Sequence, residues 1–207
     1  MIDHGQIIRN WLGTGSINIF GPPFSGKDTV GNRLAAELQG KLLSSGEILR
    51  EAQAQDEALK QEMNSGALAN TDKFRSIVLP YFAKEELKDF PLIMSSIGRW
   101  EGEELDVIEA AKNAGHPIKV ALELEISPAE MEKRRQLALE SGDRGNRGDD
   151  NSEEVLFKRI EEFRTKTMPV LATYEKLGLL VKVNTEDDRD TVFRKVLETI
   201  ADFSINN

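Results

Sequence analysis

Gly21-Pro22-Pro23-Phe24-Ser25-Gly26-Lys27-Asp28-Thr29 follows a short apolar run, Ile17-Asn18-Ile19-Phe20, and leads into a helical pattern beginning near Val30. The order is strand, glycine-bracketed loop, helix. In that order successive backbone N–H groups curl around a phosphate, the helix N-terminus adds its partial positive charge, and Lys27 brings a full charge to the outer phosphates. The strict pattern has Ser or Thr directly after the lysine. Here Asp28 holds that place and Thr29 follows it, so the hydroxyl offered to a magnesium ion is that of Thr29. The alternative is an ordinary glycine turn ahead of a helix.

Outward from this loop, short β-rich runs alternate with longer helical patterns, which predicts a parallel sheet with helices on both faces, a three-layer α/β fold. Strands are expected at 17–20, 41–43, 91–95, 117–125 and 179–183. Helices are expected at 27–39, 46–64, 71–87, 102–114, 127–140, 152–177 and 188–203. Ser127-Pro128-Ala129-Glu130 has the capping serine, first-turn proline and early acid of a helix start. Residues 141–151 hold three glycines, two arginines and no apolar side chain, the composition of a flexible loop. Ile7, Ile8, Trp11 and Leu12 suggest a short packed helix ahead of the first strand.

The bulk composition narrows the class. A chain of 207 residues, 39% of them hydrophobic, can bury the core of one compact domain spanning 1–207. With 27 basic and 36 acidic residues the net charge is −9, so the surface as a whole repels nucleic acid and anionic membranes, and a bound polyanion must meet a local group of arginines. The chain has no cysteine, which excludes disulfides and thiolate zinc sites and suits a cytoplasmic location. No apolar run has the length of a membrane span or a signal peptide.

From residue 17 onward the chain resembles the adenylate kinases and the wider nucleoside monophosphate kinase family, in their short-lid form. The family's phosphate loop reads glycine-x-proline-glycine-x-glycine-lysine-glycine-threonine, so Thr29 matches its magnesium-side hydroxyl, while Phe24 and Asp28 replace family glycines. Ser44-Ser45-Gly46-Glu47-Ile48-Leu49-Arg50 is similar to the family's acceptor motif, serine-threonine-glycine-aspartate-x-leucine-arginine, which implies Ser45, Gly46 and Arg50 at the acceptor site. Ser95-Ser96-Ile97-Gly98-Arg99 stands in place of aspartate-glycine-x-proline-arginine, and Arg99 matches the arginine that holds the acceptor phosphate. Arg134, Arg147-Gly148-Asp149-Asp150 and Arg159 are similar to the family's lid-flanking arginines and arginine-x-aspartate-aspartate motif.

The resemblance therefore implies a P-loop fold with a central parallel five-stranded sheet, a helical acceptor cover at about 46–80 and a short lid at about 138–150. It implies ATP as donor, Mg2+ as companion ion, AMP as the first-choice acceptor and a monomer. Residues 21–29 would hold the donor phosphates. Lys27, Arg99, Arg134, Arg147 and Arg159 would compensate the charge that accumulates in phosphoryl transfer, where a protein contributes mainly alignment and electrostatics. Arginine suits this because it stays charged and its planar fork grips two phosphate oxygens.

Some positions depart from the pattern. Ser95 stands where a carboxylate helps hold the magnesium water shell, with Asp28 a nearby substitute, and Ala138 stands where many relatives have a lid arginine, with Arg144 within the same loop. Glu103 occupies a place where adenylate kinases usually carry a glutamine. A carboxylate there only accepts hydrogen bonds, which suits the two donors on guanine's edge better than the mixed edge of adenine. The other reading puts Glu103 in solvent in the first turn of a helix, favoured by the dipole. Two further functions stay open: a nucleotide-binding regulator with weakened catalysis, and a P-loop kinase for GMP or a small metabolite.

Overall fold

The computed structural model describes residues 3–52, 68–141 and 153–207. Five strands, β1 (Ser16–Phe20), β2 (Lys41–Ser44), β3 (Leu92–Ser95), β4 (Ile118–Glu125) and β5 (Leu180–Asn184), form one sheet in the order β2-β3-β1-β4-β5. Every pairing is parallel. All strands consequently end at the same edge, and the loops that leave β1, β2 and β3 are brought together there, which is where open α/β sheets bind ligands. The predicted strands match these to within about a residue.

β1 is the central strand and all five of its residues are buried. Its alternation divides the core in two. Ile17 and Ile19 face a cluster completed by α1 (His4–Leu12), α2 (Lys27–Glu37) and α9 (Arg189–Ile205), with Ile8, Leu12, Leu34 and Val196 inside it. Phe20 faces the opposite cluster, built on Met94, Ala121, Val107 and Tyr174. On this face lie α3 (Ser45–Ala52), α4 (Thr71–Ile77), α5 (Glu103–Asn113) and α8 (Met168–Lys176). Helix, sheet, helix is the three-layer α/β P-loop architecture expected. The packed N-terminal helix is also present, with its first turn capped by Asp3 and Trp11 set edge-on to Phe203.

Two expected helices are interrupted, each at a proline. The run expected over 71–87 is α-helical only to Ile77, then continues as short 3-10 turns at Leu79–Ala83 and Glu85–Leu87, with Pro80 opening the first of them. The run expected over 152–177 divides into α7 (Glu153–Glu162), a π-helical stretch Phe163–Thr167, and α8. Pro169 sits in the first turn of α8. A proline donates no backbone hydrogen bond and crowds the carbonyl four residues back, so the widened turn before it relieves a conflict a regular α-helix could not. α6 (Pro128–Ser141) starts as expected, Ser127 Oγ accepting from Glu130 N at 3.3 Å, and has no buried residue. Of the helix expected over 46–64, residues 53–64 lie outside the described residues, as does the lid segment beyond Ser141.

Candidate active site

The loop after β1 shows why its glycines are where they are. A Cβ at Gly21 would fall 2.8 Å from the Leu124 carbonyl oxygen on the neighbouring strand, so crowding excludes any side chain. At Gly26 the reason is conformation: φ is +91°, and a Cβ would meet only open space. Gly26 is the N-cap of α2 and no side chain caps that helix, leaving the loop itself to face the helix's positive end. Lys27 Nζ folds back across the loop and donates to Gly21 O at 2.7 Å and Pro22 O at 3.0 Å. Pro23 and Phe24 are buried, and Ser25 Oγ is buried with no hydrogen-bond partner among the described residues.

Two non-glycine residues take left-handed backbone conformations at this edge, Phe24 at φ +63° and Ser96 at φ +54°. Both replace glycines of the motifs quoted above. Such conformations cost a side-chain-bearing residue about 1 kcal/mol or more each.

A cleft of about 770 Å³ opens beside the loop, lined by Gly26, Asp28, Thr29, Arg134 and Ala138 on one side and the Glu186–Arg189 turn on the other. Its volume is that of a small-molecule site. Arg134, on α6, ties the walls together: Nη1 donates to Phe24 O at 3.3 Å, Nη2 to Thr185 O, and Nε to Glu130 Oε1 at 3.2 Å. Thr29 and Asp28 are exposed to this cleft, while Ser95 is buried at the end of β3. Among the described residues no group of three or more His, Cys, Asp or Glu side chains could hold a metal by itself. One hydroxyl and one carboxylate suit an ion such as magnesium, which keeps several waters and takes other oxygens from phosphates.

A second, smaller hollow of about 70 Å³ lies across the same edge, lined by Ser45, Gly46, Phe74, Arg99, Trp100 and Glu103 among others. Arg99 Nε donates to Ser96 O at 3.2 Å, and Nη2 reaches Ser45 Oγ at 3.4 Å. Ser45 Oγ in turn donates to Ser96 O at 2.7 Å. Glu103 is not on the solvent side of α5; it is only 2% exposed. Its Oε2 accepts from Arg99 N at 2.9 Å and Trp100 N at 3.1 Å, and burial pushes its carboxyl above the usual range against the pull of those donors and of the Arg99 charge. Gly46 admits the Arg50 guanidinium, whose Nη1 would lie 3.2 Å from a Cβ there; Arg50 itself is exposed on α3, outside the lining of the hollow. Arg159 is half-buried on α7, and Arg147, Asp149, Asp150 and Arg144 lie outside the described residues.

Trp100 was not singled out by the sequence. Its indole Nε1 donates to Ala69 O at 3.1 Å, Lys166 Nζ stands 4.0 Å from the centre of its ring, and Thr167 Oγ1 donates to the Arg99 carbonyl at 3.4 Å. The π-helical stretch therefore touches the Arg99 loop. Asn18 belongs to no motif, and its one sequence signal is that it is a polar amide inside the run Ile17–Phe20.

Comparison with known proteins agrees with this arrangement. The pattern of a family described as an AAA domain matches residues 20–156. Adenylate kinase of Thermus thermophilus is 30% identical over 188 residues, covering 87% of this chain and 94% of that protein. Adenylate kinase isoenzyme 1 of Sus scrofa is 30% identical over 186 residues, with 87% and 91% covered. Adenylate kinase of Prochlorococcus marinus is 32% identical over 173 residues, with 81% and 87% covered. With the phosphate-type loop, the second arginine-lined hollow and the sheet order all in place, the chain belongs to the adenylate kinase family of nucleoside monophosphate kinases.

Proposed function

We propose that this protein moves the terminal phosphoryl group of ATP to AMP, giving two molecules of ADP. The observation that carries the reading is topological. The Lys27 loop follows β1, Ser45 follows β2 and Arg99 follows β3, and because these strands are parallel and adjacent, a donor cleft and an acceptor hollow open at one edge of one sheet.

In this reading the donor phosphates enter the curl of residues 21–29. Lys27 exchanges two loop carbonyls for phosphate oxygens, which strengthens its hydrogen bonds because the new acceptors are charged. Ser45, Gly46, Arg50 and Arg99 receive the acceptor phosphate. Arg134 fixes the loop carbonyl of Phe24 and lies beside the donor, and Arg147 and Arg159 close over the transferring group. None of these residues acts as acid or base; they align two nucleotides and offset charge as it redistributes among the phosphate oxygens. The Thr29 hydroxyl and the adjacent Asp28 carboxylate would hold a magnesium ion, which would offset part of the negative charge on the donor phosphates. Residues 46–80 serve as the acceptor cover and 138–150 as the lid that excludes water, which would otherwise compete for the phosphoryl group. The enzyme works as a monomer in the cytoplasm.

A catalytically weakened nucleotide-binding regulator is the second reading, favoured by the neutral Ser95 and the left-handed Phe24. A coupled assay with ATP and each of the four common nucleoside monophosphates decides between them. Turnover highest with AMP is expected. Tight ATP binding without turnover on any monophosphate would support the regulator, and highest turnover with GMP would overturn the choice of acceptor.

A further inference from the structure

The chain between β3 and α5 carries Arg99 yet belongs to no regular element. Its backbone groups nevertheless need partners, since buried N–H and C=O groups are seldom left unpaired. Ser96 N continues the ladder, donating to Ile19 O at 2.8 Å. Beyond it, side chains replace the ladder. Asn18 Nδ2 donates to Ile97 O at 2.8 Å, and Asn18 Oδ1 accepts from Ile97 N at 3.2 Å. From the far end, Glu103 Oε2 accepts from Arg99 N and Trp100 N at 2.9 and 3.1 Å.

Both residues occupy costly places. Asn18 is fully buried in the central strand between apolar neighbours, where an amide is unfavourable unless both its ends are bonded. Its two bonds to backbone go to a single residue of the Arg99 loop, and its side chain also meets the Tyr174 hydroxyl of α8. Glu103 is a carboxylate almost as deeply buried, with Oε2 held on two backbone groups of that same loop and the Thr71 side chain of α4 beside it as well. Ile97, Arg99 and Trp100 are thus gripped from β1 on one side and from α5 on the other.

We propose that Asn18 and Glu103 are positioning residues that set the Arg99 loop in its acceptor-binding shape before the acceptor arrives, so that affinity for the monophosphate depends on two side chains acting through the backbone. This rests on the kinase reading given above. The Arg99 guanidinium takes its direction from Ser96 O and Ser45 Oγ, both at the root of the loop, so a small shift of the backbone turns the fork away from a phosphate held against Ser45. Misplacement of that order is enough to lose much of an oriented contact. The two grips differ chemically. Asn18 must both donate and accept, whereas Glu103 needs only an accepting oxygen and not its charge.

The test compares AMP and ATP binding by titration calorimetry, with the steady-state KM for each, in the full-length protein and its Asn18→Leu, Glu103→Leu and Glu103→Gln variants. Asn18→Leu and Glu103→Leu are expected to weaken AMP about tenfold or more and to leave ATP within about twofold. Glu103→Gln, which keeps the accepting oxygen, is expected to restore most of what Glu103→Leu loses, with the ratio of AMP to GMP affinity unchanged. If Asn18→Leu does not fold, the two Glu103 variants decide the matter. Unchanged AMP affinity in the leucine variants, a parallel loss for ATP, or a Glu103→Gln variant as impaired as Glu103→Leu would each overturn the proposal. Wild-type protein that binds AMP but never turns over would overturn the kinase reading and leave the affinity comparison standing; wild-type protein that binds no monophosphate would overturn both.

Discussion

In the proposed reading Lys27 serves the site rather than the fold. Its ammonium donates to two carbonyls of its own loop, acceptors that water can satisfy equally well. Lys27→Met is therefore expected to leave the unfolding midpoint near the wild-type value while lowering turnover by about a hundredfold or more, since a charge aimed at the transferring phosphates is lost. Coupled-assay kinetics beside a thermal melt check this; near-normal turnover in a folded variant would contradict it. Ser95 makes a complementary case. It is buried at the end of β3, and a neutral hydroxyl there holds a hydrated dication less firmly than a carboxylate would. Ser95→Asp is expected to shift half-maximal activity to lower magnesium concentration. A titration that does not move would show that Asp28 already supplies the charge. Both residues were legible in the sequence because each sits at a fixed place in a short motif. Asn18 and Trp100 were not, because their roles depend on the return of the chain from β3, far away in sequence.

At the scale of elements, β4 carries an unusual residue for a sheet interior. Glu123 is buried, and among the described residues the cation that faces its Oε2 is Lys182 of β5 at 3.6 Å, shared with Glu175 at 3.5 Å. Burial pushes the Glu123 carboxyl above the usual range, and Lys182 pulls it back only in part. The sign of the consequence follows from linkage. Because the folded state holds the Glu123 proton more tightly than the unfolded chain, the group favours folding at pH below its unfolded value and loses that contribution as pH rises through its raised folded value. Glu123→Gln removes the titration, so it is expected to raise the melting temperature relative to wild type at pH 7.5 and to change it much less at pH 4. An equal difference at both pH values would show that Lys182 fully compensates the charge. Existence, type and order of elements were readable from the period of the apolar residues. The breaks at Pro80 and Pro169 could have been placed from the prolines alone, but the π-helical form of the second required the packing of Thr167 and Lys166 against the Arg99–Trp100 loop.

At the scale of the whole molecule, α1 packs into the core and lines neither candidate hollow. The α1–α2–α9 side of the sheet builds core and also opens the candidate donor cleft where α2 and α9 begin, while the other side builds a second core cluster and forms the candidate acceptor hollow between α3, α4 and α5. Ile8 of α1 is fully buried on the first side. Ile8→Ala is expected to cost about 2–5 kcal/mol through lost burial and the cavity it leaves, with KM for ATP and AMP unchanged. Chemical denaturation and steady-state kinetics on the same preparation check both halves; a raised KM for either nucleotide would show that the packing of α1 is coupled to the site.

What the sequence by itself determined was everything that short-range pattern can carry: five strands and their order along the chain, and the phosphate-type loop with Lys27 and Thr29; the segments around Ser45 and Arg99 stood out only through their resemblance to the family's acceptor motifs. These are local because a strand's alternation, a glycine's freedom and a lysine's place after a loop are properties of neighbours in the chain. The tertiary structure alone decided that β3 lies between β2 and β1, so that the three motif-bearing loops share an edge. It alone placed Glu103 in the interior with its oxygen on the Arg99 backbone, and turned Asn18 from an anomaly in a strand into a clasp. Those outcomes depend on which distant segments meet, and a buried polar side chain acquires its meaning only from the group that folding puts opposite it.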